Sequence, residues 1–305
     1  MTDTSTSVRA PIDVAGKPVC DALAIAANFL VSQQDAASAA VDARRLLQQA
    51  LDCRSLDLLV SPDRTLTAAE SENFLRRLAR RKGGEPVSRI AGRREFYGRE
   101  FVITPATLDP RPESETLIDA TLALLRSSSF VGDGLQILDI GTGSGCLLLT
   151  LLAELPGARG VGVDPSVAAL GVAEQNAVRL GLAHRARWVE GRGTAGLVEP
   201  FQLVVSNPPY IPTLDIAALD SDVREFDPVG ALDGGIDGLD IYKQVACDLG
   251  AMQDLRWVVF EVGVGQASIV TDIMREALPV VNHGTANDLA GVQRCVALQL
   301  HARRA

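Results

Sequence analysis

The middle of the chain reads Ile137-Leu138-Asp139-Ile140-Gly141-Thr142-Gly143-Ser144-Gly145, followed by an apolar segment that begins at Cys146. The first four residues are typical of a buried parallel strand, and the segment after the glycines is typical of a helix. A glycine loop between a strand and a helix brings the backbone close to a ligand at the helix N-terminus. Glycine loses more conformational entropy on folding than any other residue, so three alternating glycines are not expected in a turn that binds no ligand. This stretch therefore predicts an α/β sheet with a ligand-binding loop at its carboxyl edge.

The segments around this loop alternate between strand and helix character. Strands are predicted at residues 136–140, 160–163, 187–189, 202–206, 257–262 and 293–299. Helices are predicted between most of them, for example over residues 114–125 and 166–180. Alternating βα units predict a mostly parallel sheet that is covered by helices on both faces.

The glycine loop favours one class of ligand over another. A dinucleotide-binding loop expects Gly or Ala where this chain has Cys146, because the helix and strand pack closely there. The G-x-G-x-G form, with Asp139 two residues before it, is similar to the S-adenosylmethionine loop of class I methyltransferases. Asp164 ends the next predicted strand, where a carboxylate can accept hydrogen bonds from ribose hydroxyls. The candidate cofactor-binding residues are Gly141, Thr142, Gly143, Ser144, Gly145 and Asp164.

A second motif, Asn207-Pro208-Pro209-Tyr210, follows the predicted strand at residues 202–206. Two prolines cannot continue a strand, because they lack N–H groups and fix φ. The chain must therefore leave the sheet at a rigid turn, which holds the Asn207 side chain and nearby carbonyl groups at the carboxyl edge. Such a cluster of acceptors suits the NH2 group of a planar amide or amino substrate.

The same motif predicts a reaction. An amide nitrogen is a poor nucleophile because its lone pair is delocalised into the carbonyl group. If the Asn207 side-chain oxygen and the Pro208 carbonyl accept its two N–H groups, electron density rises on the nitrogen and the nitrogen is oriented for in-line attack on a methyl donor. Tyr210 is expected to pack flat against the planar group. Asn207, Pro208 and Tyr210 are thus candidate catalytic residues, and no strong base is needed before the transfer.

Composition narrows the class of protein. The chain has 305 residues and a formal net charge of −9, which disfavours a protein whose main partner is a nucleic-acid backbone. The longest apolar run, residues 146–153, is far shorter than the roughly 20 residues that a membrane span needs, and no signal peptide is evident. Five widely spaced cysteines without a C-x-x-C pair indicate reduced thiols in a cytoplasmic protein. The three histidines are not at ligand spacing, so no metal site is predicted.

Four segments are predicted along the chain. Residues 1–18 are expected to form a disordered tail. Residues 19–84 show helical periodicity, with a capping box at Thr67–Glu70, and predict a small helical bundle that ends at Gly83-Gly84. Residues 85–112 predict a linker that contains a β-hairpin, and residues 113–305 form the α/β domain.

With both motifs in place, the chain resembles the bacterial peptide chain release factor glutamine N5-methyltransferases (PrmC/HemK type). The resemblance runs from about residue 40 to about residue 298. Besides the two motifs, it is carried by residues 84–87, 95–98, 110–115, 223–228, 231–240 and 288–291. It implies a Rossmann-like class I methyltransferase domain with a seven-stranded, mostly parallel sheet, preceded by an all-α domain and a hairpin.

The resemblance also implies a function and its residues. The helical domain would dock a release factor, and the glutamine of its Gly-Gly-Gln loop would be methylated on the side-chain nitrogen by S-adenosyl-L-methionine, with S-adenosyl-L-homocysteine as product. Residues 141–145 and Asp164 would hold the cofactor. Asn207 would touch both cofactor and glutamine, while Pro208, Pro209 and Tyr210 would frame the amide. Glu113 and Glu115 also match the family pattern, and we expect them to cap a helix.

Two other functions remain open at this point. A nucleic-acid adenine amino methyltransferase would share the catalytic turn and would need a basic cleft, for which the run of Arg and Lys between residues 76 and 94 is the only candidate. A catalytically weak paralogue that binds cofactor is suggested by residues 190–193, where Glu-Gly-Arg-Gly replaces the acidic–aromatic pair that contacts adenine in the family. The retained Asn207 and Asp164 disfavour that second alternative.

Overall fold

A computed structural model describes residues 12–32, 34–128, 134–194, 196–197 and 199–301. The chain divides into two compact units, Met1–Ala91 and Gly92–Ala305. None of the helices within the described ranges is long and apolar enough to cross a membrane.

The first unit is a bundle of short helices. Their bounds are Val19–Leu30 (α1), Ala36–Leu51 (α2), Ser55–Val60 (α3), Ala68–Lys82 (α4) and Val87–Ala91 (α5). The predicted capping box begins α4, since the Thr67 hydroxyl accepts from the Glu70 N–H at 3.3 Å and the Glu70 carboxylate accepts from the Thr67 N–H at 2.9 Å. Apolar residues at helical spacing meet in one core, which includes Leu46, Leu47, Phe74 and Leu78.

The start of this unit differs from the expectation of a disordered tail over residues 1–18. Residues 1–11 of that segment lie outside the described residues, but residues 12–18 are packed against the bundle. Val14 is fully buried, its carbonyl accepts from the Ser71 hydroxyl, and the Lys17 carbonyl accepts from the Leu66 N–H. Polar composition suggested disorder, whereas the buried Val14 side chain and two hydrogen-bonded backbone carbonyl groups hold this stretch against the bundle.

The end of the unit also differs, because part of the predicted linker at residues 85–112 is helical. Helix α5 is only five residues long, too short for a recognisable helical period. Its Ile90 is buried in the core of the bundle, and the Ile90 carbonyl accepts from Arg77 and Arg80 of α4 at 3.2 and 3.5 Å. Basic side chains at the carbonyl end of a helix satisfy groups that would otherwise lack partners.

The second unit begins with the predicted β-hairpin, formed by Arg93–Phe96 (β1) and Arg99–Val102 (β2). Tyr97 and Gly98 connect the two strands, and both have positive φ, at 52° and 71°. This is the geometry of a two-residue type I′ turn, which matches the twist of antiparallel strands. Phe96 and Phe101 meet edge to face at 6.2 Å between ring centroids and join the core of the α/β domain.

A mixed sheet of seven strands forms the centre of this unit. Its strands are Gln136–Ile140 (β3), Arg159–Asp164 (β4), Ala186–Glu190 (β5), Leu203–Ser206 (β6), Trp257–Glu261 (β7), Val280–Asn287 (β8) and Gln293–Leu300 (β9). They are ordered β5-β4-β3-β6-β7-β9-β8, with β3 to β7 parallel and β9 antiparallel to both of its neighbours. The predicted Rossmann-like fold is confirmed.

Helices cover both faces of the sheet. Their bounds are Glu115–Ser127 (α6), Cys146–Glu154 (α7), Val167–Arg179 (α8), Ser221–Phe226 (α9), Asp240–Leu249 (α10) and Ala267–Ala277 (α11). Three short 3-10 helices lie at Pro112–Ser114, Thr213–Ala218 and Val229–Ala231. The buried side chains of α6 and α7 belong to one apolar core, and those of α10 and α11 belong to the other. The central strands are therefore apolar on both faces, which is why their sequences read as continuous apolar runs.

Among the strands of the described residues, the edge strand β8 is the one that local sequence patterns did not predict. Most of its residues are exposed, and its sequence contains Asn282, Gly284 and Asn287, so neither apolar alternation nor high strand propensity marks it. Its backbone pairs with β9, whose residues are largely buried. A long-range partner decides the structure of this segment.

Candidate functional site

A cavity of about 930 Å³ opens at the carboxyl edge of the sheet. This is where ligands bind in open α/β folds. Its walls come from segments that follow four neighbouring parallel strands, from the elbow after the hairpin and from α10. The lining residues are 106–108, 110, 111, 114, 140–144, 146, 147, 164–166, 191–193, 207, 209, 228, 230, 231, 233, 240, 241, 244 and 245.

The glycine loop after β3 forms one wall. Gly141, Gly143 and Gly145 all have positive φ, at 74°, 55° and 78°, a conformation that side chains other than glycine rarely adopt. A Cβ added to Gly141 or Gly143 would meet no other atom within 4 Å, so the missing side chains leave open space at the wall. A Cβ on Gly145 would lie 3.0 Å from the Trp188 ring. Gly141 and Gly143 leave room for a ligand, and Gly145 allows the start of α7 to pack closely against Trp188.

Asp164, at the end of β4, is joined directly to this loop. Its Oδ2 accepts a hydrogen bond from the Gly143 N–H at 2.9 Å, and its Oδ1 accepts one from the Ser166 N–H at 2.8 Å. A carboxylate has about four lone-pair positions, so two remain for further donors. The structure therefore brings together the loop and the acidic residue that the sequence had paired.

Asp139 supports the loop from inside. It is fully buried, and its Oδ2 accepts from the Thr142 hydroxyl at 2.6 Å. Its Oδ1 has no hydrogen-bond partner in the described part of the chain. Burial raises the pKa of this carboxyl group to about 7, because a charged carboxylate loses its hydration inside the protein.

Asp139→Asn should therefore stabilise the ligand-free protein in a pH-dependent way. A raised pKa means that the folded state holds a proton that the unfolded state has released, so this group costs more stability as the pH rises from about 4 through about 7. The asparagine side chain has no charge to bury. We therefore expect the melting temperature of the Asp139→Asn protein to exceed that of the parent by roughly 5 °C at pH 8. The difference should shrink towards pH 5. Thermal unfolding at both pH values tests this, and equal differences would contradict it.

The second motif leaves the sheet beside the glycine loop. In the parallel register of β3 and β6, Ile140 lies opposite Ser206. The glycine loop and Asn207 therefore leave the sheet from neighbouring strands, whose backbones lie about 5 Å apart. The Asn207 amide Nδ2 donates to the Ser114 hydroxyl at 3.2 Å. Within the described part of the chain, neither Asn207 Oδ1 nor the Pro208 carbonyl oxygen accepts a hydrogen bond. Asn207 lines the cavity, so its Oδ1 is available to a ligand there.

The four residues of the motif do not all face the cavity. Asn207 and Pro209 line it, but Pro208 and Tyr210 are not among its lining residues. Tyr210 packs against the core, its hydroxyl donates to Glu261 Oε1 at 3.3 Å, and its carbonyl accepts from Gln266 Nε2 at 3.0 Å. The hydroxyl end of the ring is therefore held by the interior.

Sequence reasoning missed the buried carboxyl group of Glu261. This residue ends β7, next to β6, and only 2% of it is exposed. Burial raises its pKa to about 7, whereas the nearby Ser114 hydroxyl, the hydrogen bond from the Tyr210 hydroxyl and the charge of Arg294 oppose that rise. The available signal was a single carboxylate at the end of an apolar strand, since acidic residues are almost never fully buried without a partner.

A further wall of the cavity is held by Asp227. Its Oδ1 accepts from the Asp109 N–H at 3.2 Å, and its Oδ2 pairs with the Arg111 guanidinium. These bonds tie the elbow after the hairpin to residues 228–233, which also line the cavity. The sequence singled out both segments only through the family resemblance.

The wall beyond Asp164 is formed by residues 191–193 and α10. The Thr194 N–H donates to Asp248 Oδ2 of α10 at 3.2 Å, and Gly193 has positive φ and no room for a Cβ beside that carboxylate. Ile241, Gln244 and Val245 of α10 line the cavity here. The sequence indicated residues 190–193 only through the family resemblance, and it did not indicate that α10, which lies far along the chain, packs beside them.

Many residues of the basic run at 76–94 have acidic partners. Arg80 lies 2.5 Å from Glu85, and Arg81 lies 2.7 Å from Asp42. In the second unit, Arg93 and Arg94 lie 3.5 and 3.8 Å from acidic side chains. Arginines paired in this way are less available to neutralise phosphates.

Comparisons with known proteins agree with this architecture. Residues 21–92 match the PrmC N-terminal domain family, and residues 114–219 match the Methyltransferase small domain family. Among solved structures, the hMettl16 catalytic domain in complex with MAT2A 3′UTR hairpin 6 is similar, with a TM-score of 0.55 and 16% identity over 78% of this chain and 85% of that chain. At that identity the likeness concerns the fold alone.

Sequence relatives identify the family. The release factor glutamine methyltransferase of Rhodospirillum rubrum is 44% identical over 84% of this chain and 77% of its own length. That of Bradyrhizobium diazoefficiens is 45% identical over 85% of this chain and 87% of its own length. The chain belongs to the release factor glutamine methyltransferase family.

Proposed function

We propose that this chain transfers the methyl group of S-adenosyl-L-methionine to the side-chain amide nitrogen (N5) of the glutamine in the Gly-Gly-Gln motif of a peptide chain release factor, in the cytoplasm. The observation that carries the proposal is the Asn207 amide, which lines the cavity one strand from the glycine loop with its oxygen available as an acceptor. Relatives with this name at 44% and 45% identity support the substrate class. The helical unit is the proposed docking domain for the release factor.

The residues of the cavity fit the cofactor. Open space beside Gly141 and Gly143 admits a ligand against the backbone, and Thr142, Ser144 and Gly145 complete the loop that would hold it. The two unused lone-pair positions of Asp164 suit the two hydroxyls of a ribose. When bound, S-adenosylmethionine supplies a methyl group on a positively charged sulfur, and S-adenosyl-L-homocysteine is left. No metal is part of the proposal.

The catalytic turn would act by orienting the glutamine. Asn207 Oδ1 and the Pro208 carbonyl oxygen each accept one N–H of the substrate amide, which raises electron density on its nitrogen and directs the lone pair towards the methyl group. Asn207 also lies near enough to the loop to touch the cofactor. Pro209 and Tyr210 shape the turn around the amide. The proton leaves the methylated nitrogen after the transfer, so no base has to act first.

Methylation of a purified release factor tests the proposal. The protein is incubated with S-adenosylmethionine and release factor, and tandem mass spectrometry of the peptide that contains Gly-Gly-Gln locates any added methyl group. We expect a mass gain of one methyl group on the glutamine side chain. A release factor with Gln→Ala in that motif is the matched control and should gain nothing. An unmodified glutamine in the presence of an active reference enzyme would reject the proposal.

The alternatives predict different products. An adenine methyltransferase would label plasmid or RNA rather than the release factor, and the acidic partners of Arg80, Arg81, Arg93 and Arg94 disfavour it. A cofactor-binding paralogue would bind S-adenosylhomocysteine and label neither substrate.

A further inference from the structure

One buried amide, the side chain of Asn176, connects two walls of the cavity. Asn176 lies on α8 and is fully buried. Its Oδ1 accepts a hydrogen bond from the Val102 N–H at 2.7 Å, and its Nδ2 donates to the Val102 carbonyl at 3.0 Å and to the Ser144 carbonyl at 2.9 Å. Val102 ends β2 and Ser144 belongs to the glycine loop, so the hairpin and the loop meet at this amide.

The hairpin presents its outward backbone groups to Asn176. In an antiparallel pair, residues alternate between those that hydrogen-bond the partner strand and those whose N–H and C=O point away from it. The Ile103 N–H donates to the Gly92 carbonyl at 3.0 Å, so the backbone groups of the preceding Val102 point away from β1. Asn176 provides the partners that a third strand would provide. Because the chain continues from Val102 into residues 106–108, which line the cavity, Asn176 fixes the start of that wall.

On the other side, Asn176 holds a peptide group of the glycine loop. Ser144 is 3% exposed, lines the cavity and lies between Gly143 and Gly145, which both have positive φ. Glycine has few steric limits on its backbone, so a peptide group between two glycines turns easily unless hydrogen bonds fix it. Here the Ser144 carbonyl accepts from Asn176, and the Gly145 N–H of the same peptide group donates to the Thr142 carbonyl at 2.8 Å. The loop conformation therefore depends on Asn176.

Asparagine matches the set of partners at this position. Two carbonyl oxygens require donors and the Val102 N–H requires an acceptor, which are the groups that a carboxamide offers. We infer that Asn176 is a positioning residue, which holds the glycine loop and the elbow after the hairpin in the geometry that receives the cofactor. The identity of that cofactor rests on the proposed function, whereas the fixed geometry is a property of the ligand-free protein.

A positioning role has a different kinetic result from a role in stability alone. Without the bonds to Asn176, the loop leaves its binding geometry more often, and the measured affinity for the cofactor falls with the fraction of molecules that hold that geometry. The chemical step follows after the loop has been ordered by binding, so kcat at saturating cofactor changes little. A residue that only stabilises the fold would lower the melting temperature and leave the affinity of the folded protein unchanged.

Asn176→Ala should raise the Kd for S-adenosylhomocysteine about 30-fold, with kcat at saturating S-adenosylmethionine within about threefold of the parent. Calorimetric titration is carried out well below the melting temperature of each protein. Thr121→Ala is the control, because it removes a fully buried hydroxyl of α6 that donates to the Leu117 carbonyl and does not line the cavity. This control should lose stability and keep the Kd of the parent. A folded Asn176→Ala protein with the Kd of the parent would overturn the inference.

Asn176→Asp separates hydrogen bonding from packing. Aspartate has nearly the volume of asparagine and keeps an oxygen for the Val102 N–H. An ionised carboxylate has no donor for the two carbonyl groups, and a protonated one has a single donor for both. We therefore expect the Kd of Asn176→Asp for S-adenosylhomocysteine to rise at least tenfold. If this variant binds as tightly as the parent, Asn176 only fills space and the inference is wrong.

Hydrogen exchange in the ligand-free protein keeps this inference separate from the proposed function. In the parent, the side-chain NH2 group of Asn176 should exchange slowly with solvent, because both of its hydrogens are bonded inside the protein. The Gly145 N–H should exchange at least tenfold faster in Asn176→Ala than in the Thr121→Ala control. Both results are expected even if no release factor is methylated. Rapid exchange of the Asn176 NH2 group in the parent, or equal Gly145 rates in the two variants, would reject the inference.

Discussion

Asn207→Ala is expected to lower methyl transfer to the release factor at least 100-fold while the Kd for S-adenosylhomocysteine changes less than about threefold. The substitution removes the side-chain oxygen that, in the proposed function, accepts an N–H of the substrate amide. Removing one preorganised hydrogen-bonding group from a reacting centre costs roughly 2.7–4 kcal/mol of transition-state stabilisation, or 10²–10³ in rate. The Gly141 loop and Asp164, which would hold most of the cofactor, are unchanged.

The measurement separates kcat from binding. Single-turnover rates with saturating release factor report the chemical step, and isothermal titration with S-adenosylhomocysteine reports affinity. Asn282→Ala makes the same chemical change at an exposed position of the edge strand β8 and should behave as the parent. If Asn207→Ala keeps near-normal turnover, the role assigned to Asn207 is wrong.

Asp164→Ala should weaken S-adenosylhomocysteine binding about 100-fold. The carboxylate accepts the Gly143 N–H at 2.9 Å and the Ser166 N–H at 2.8 Å, and it would also bind the ribose hydroxyls. Hydrogen bonds to a charged group contribute roughly 1.5 kcal/mol each, so the loss of two reaches about 3 kcal/mol, or 100-fold in affinity. Asp164→Asn should also bind poorly, because one of its two corners presents a donor to a backbone N–H.

The controls for this prediction address charge and folding. Glu174→Ala, on the exposed face of α8, makes the same change in net charge and should leave affinity unaltered. Thermal unfolding establishes that each variant is folded before titration. An Asp164→Ala protein that is folded and binds with the affinity of the parent would contradict the assignment.

Much of the fold could be predicted from local sequence. Strands buried on both faces, such as β3 and β7, are continuous apolar runs, and a strand followed by glycines and a helix has few alternative structures. The turn at Tyr97-Gly98 was likewise visible between two short strands. Segments with weak local preferences were missed. Helix α5 depends on bonds from α4 to its Ile90 carbonyl, and β8 depends on pairing with β9.

The candidate site was predictable to the same extent. The glycine loop, Asp164 and the Asn207 turn each have a local pattern, and the parallel sheet places their strands side by side. The orientation of Tyr210 was not predictable, because it depends on a hydrogen bond to Glu261 on the neighbouring strand. Asp227 likewise shows its role only where it meets Asp109 and Arg111.

The sequence by itself therefore determined the fold class, the family resemblance and the two motifs, since these depend on residues close together in the chain. Only the tertiary structure decided which corner of the Asn207 amide faces the cavity. Its partner Ser114 lies 93 residues away in sequence. Hydrogen-bond direction depends on the groups that surround a side chain, and strand order and helix packing bring those groups together.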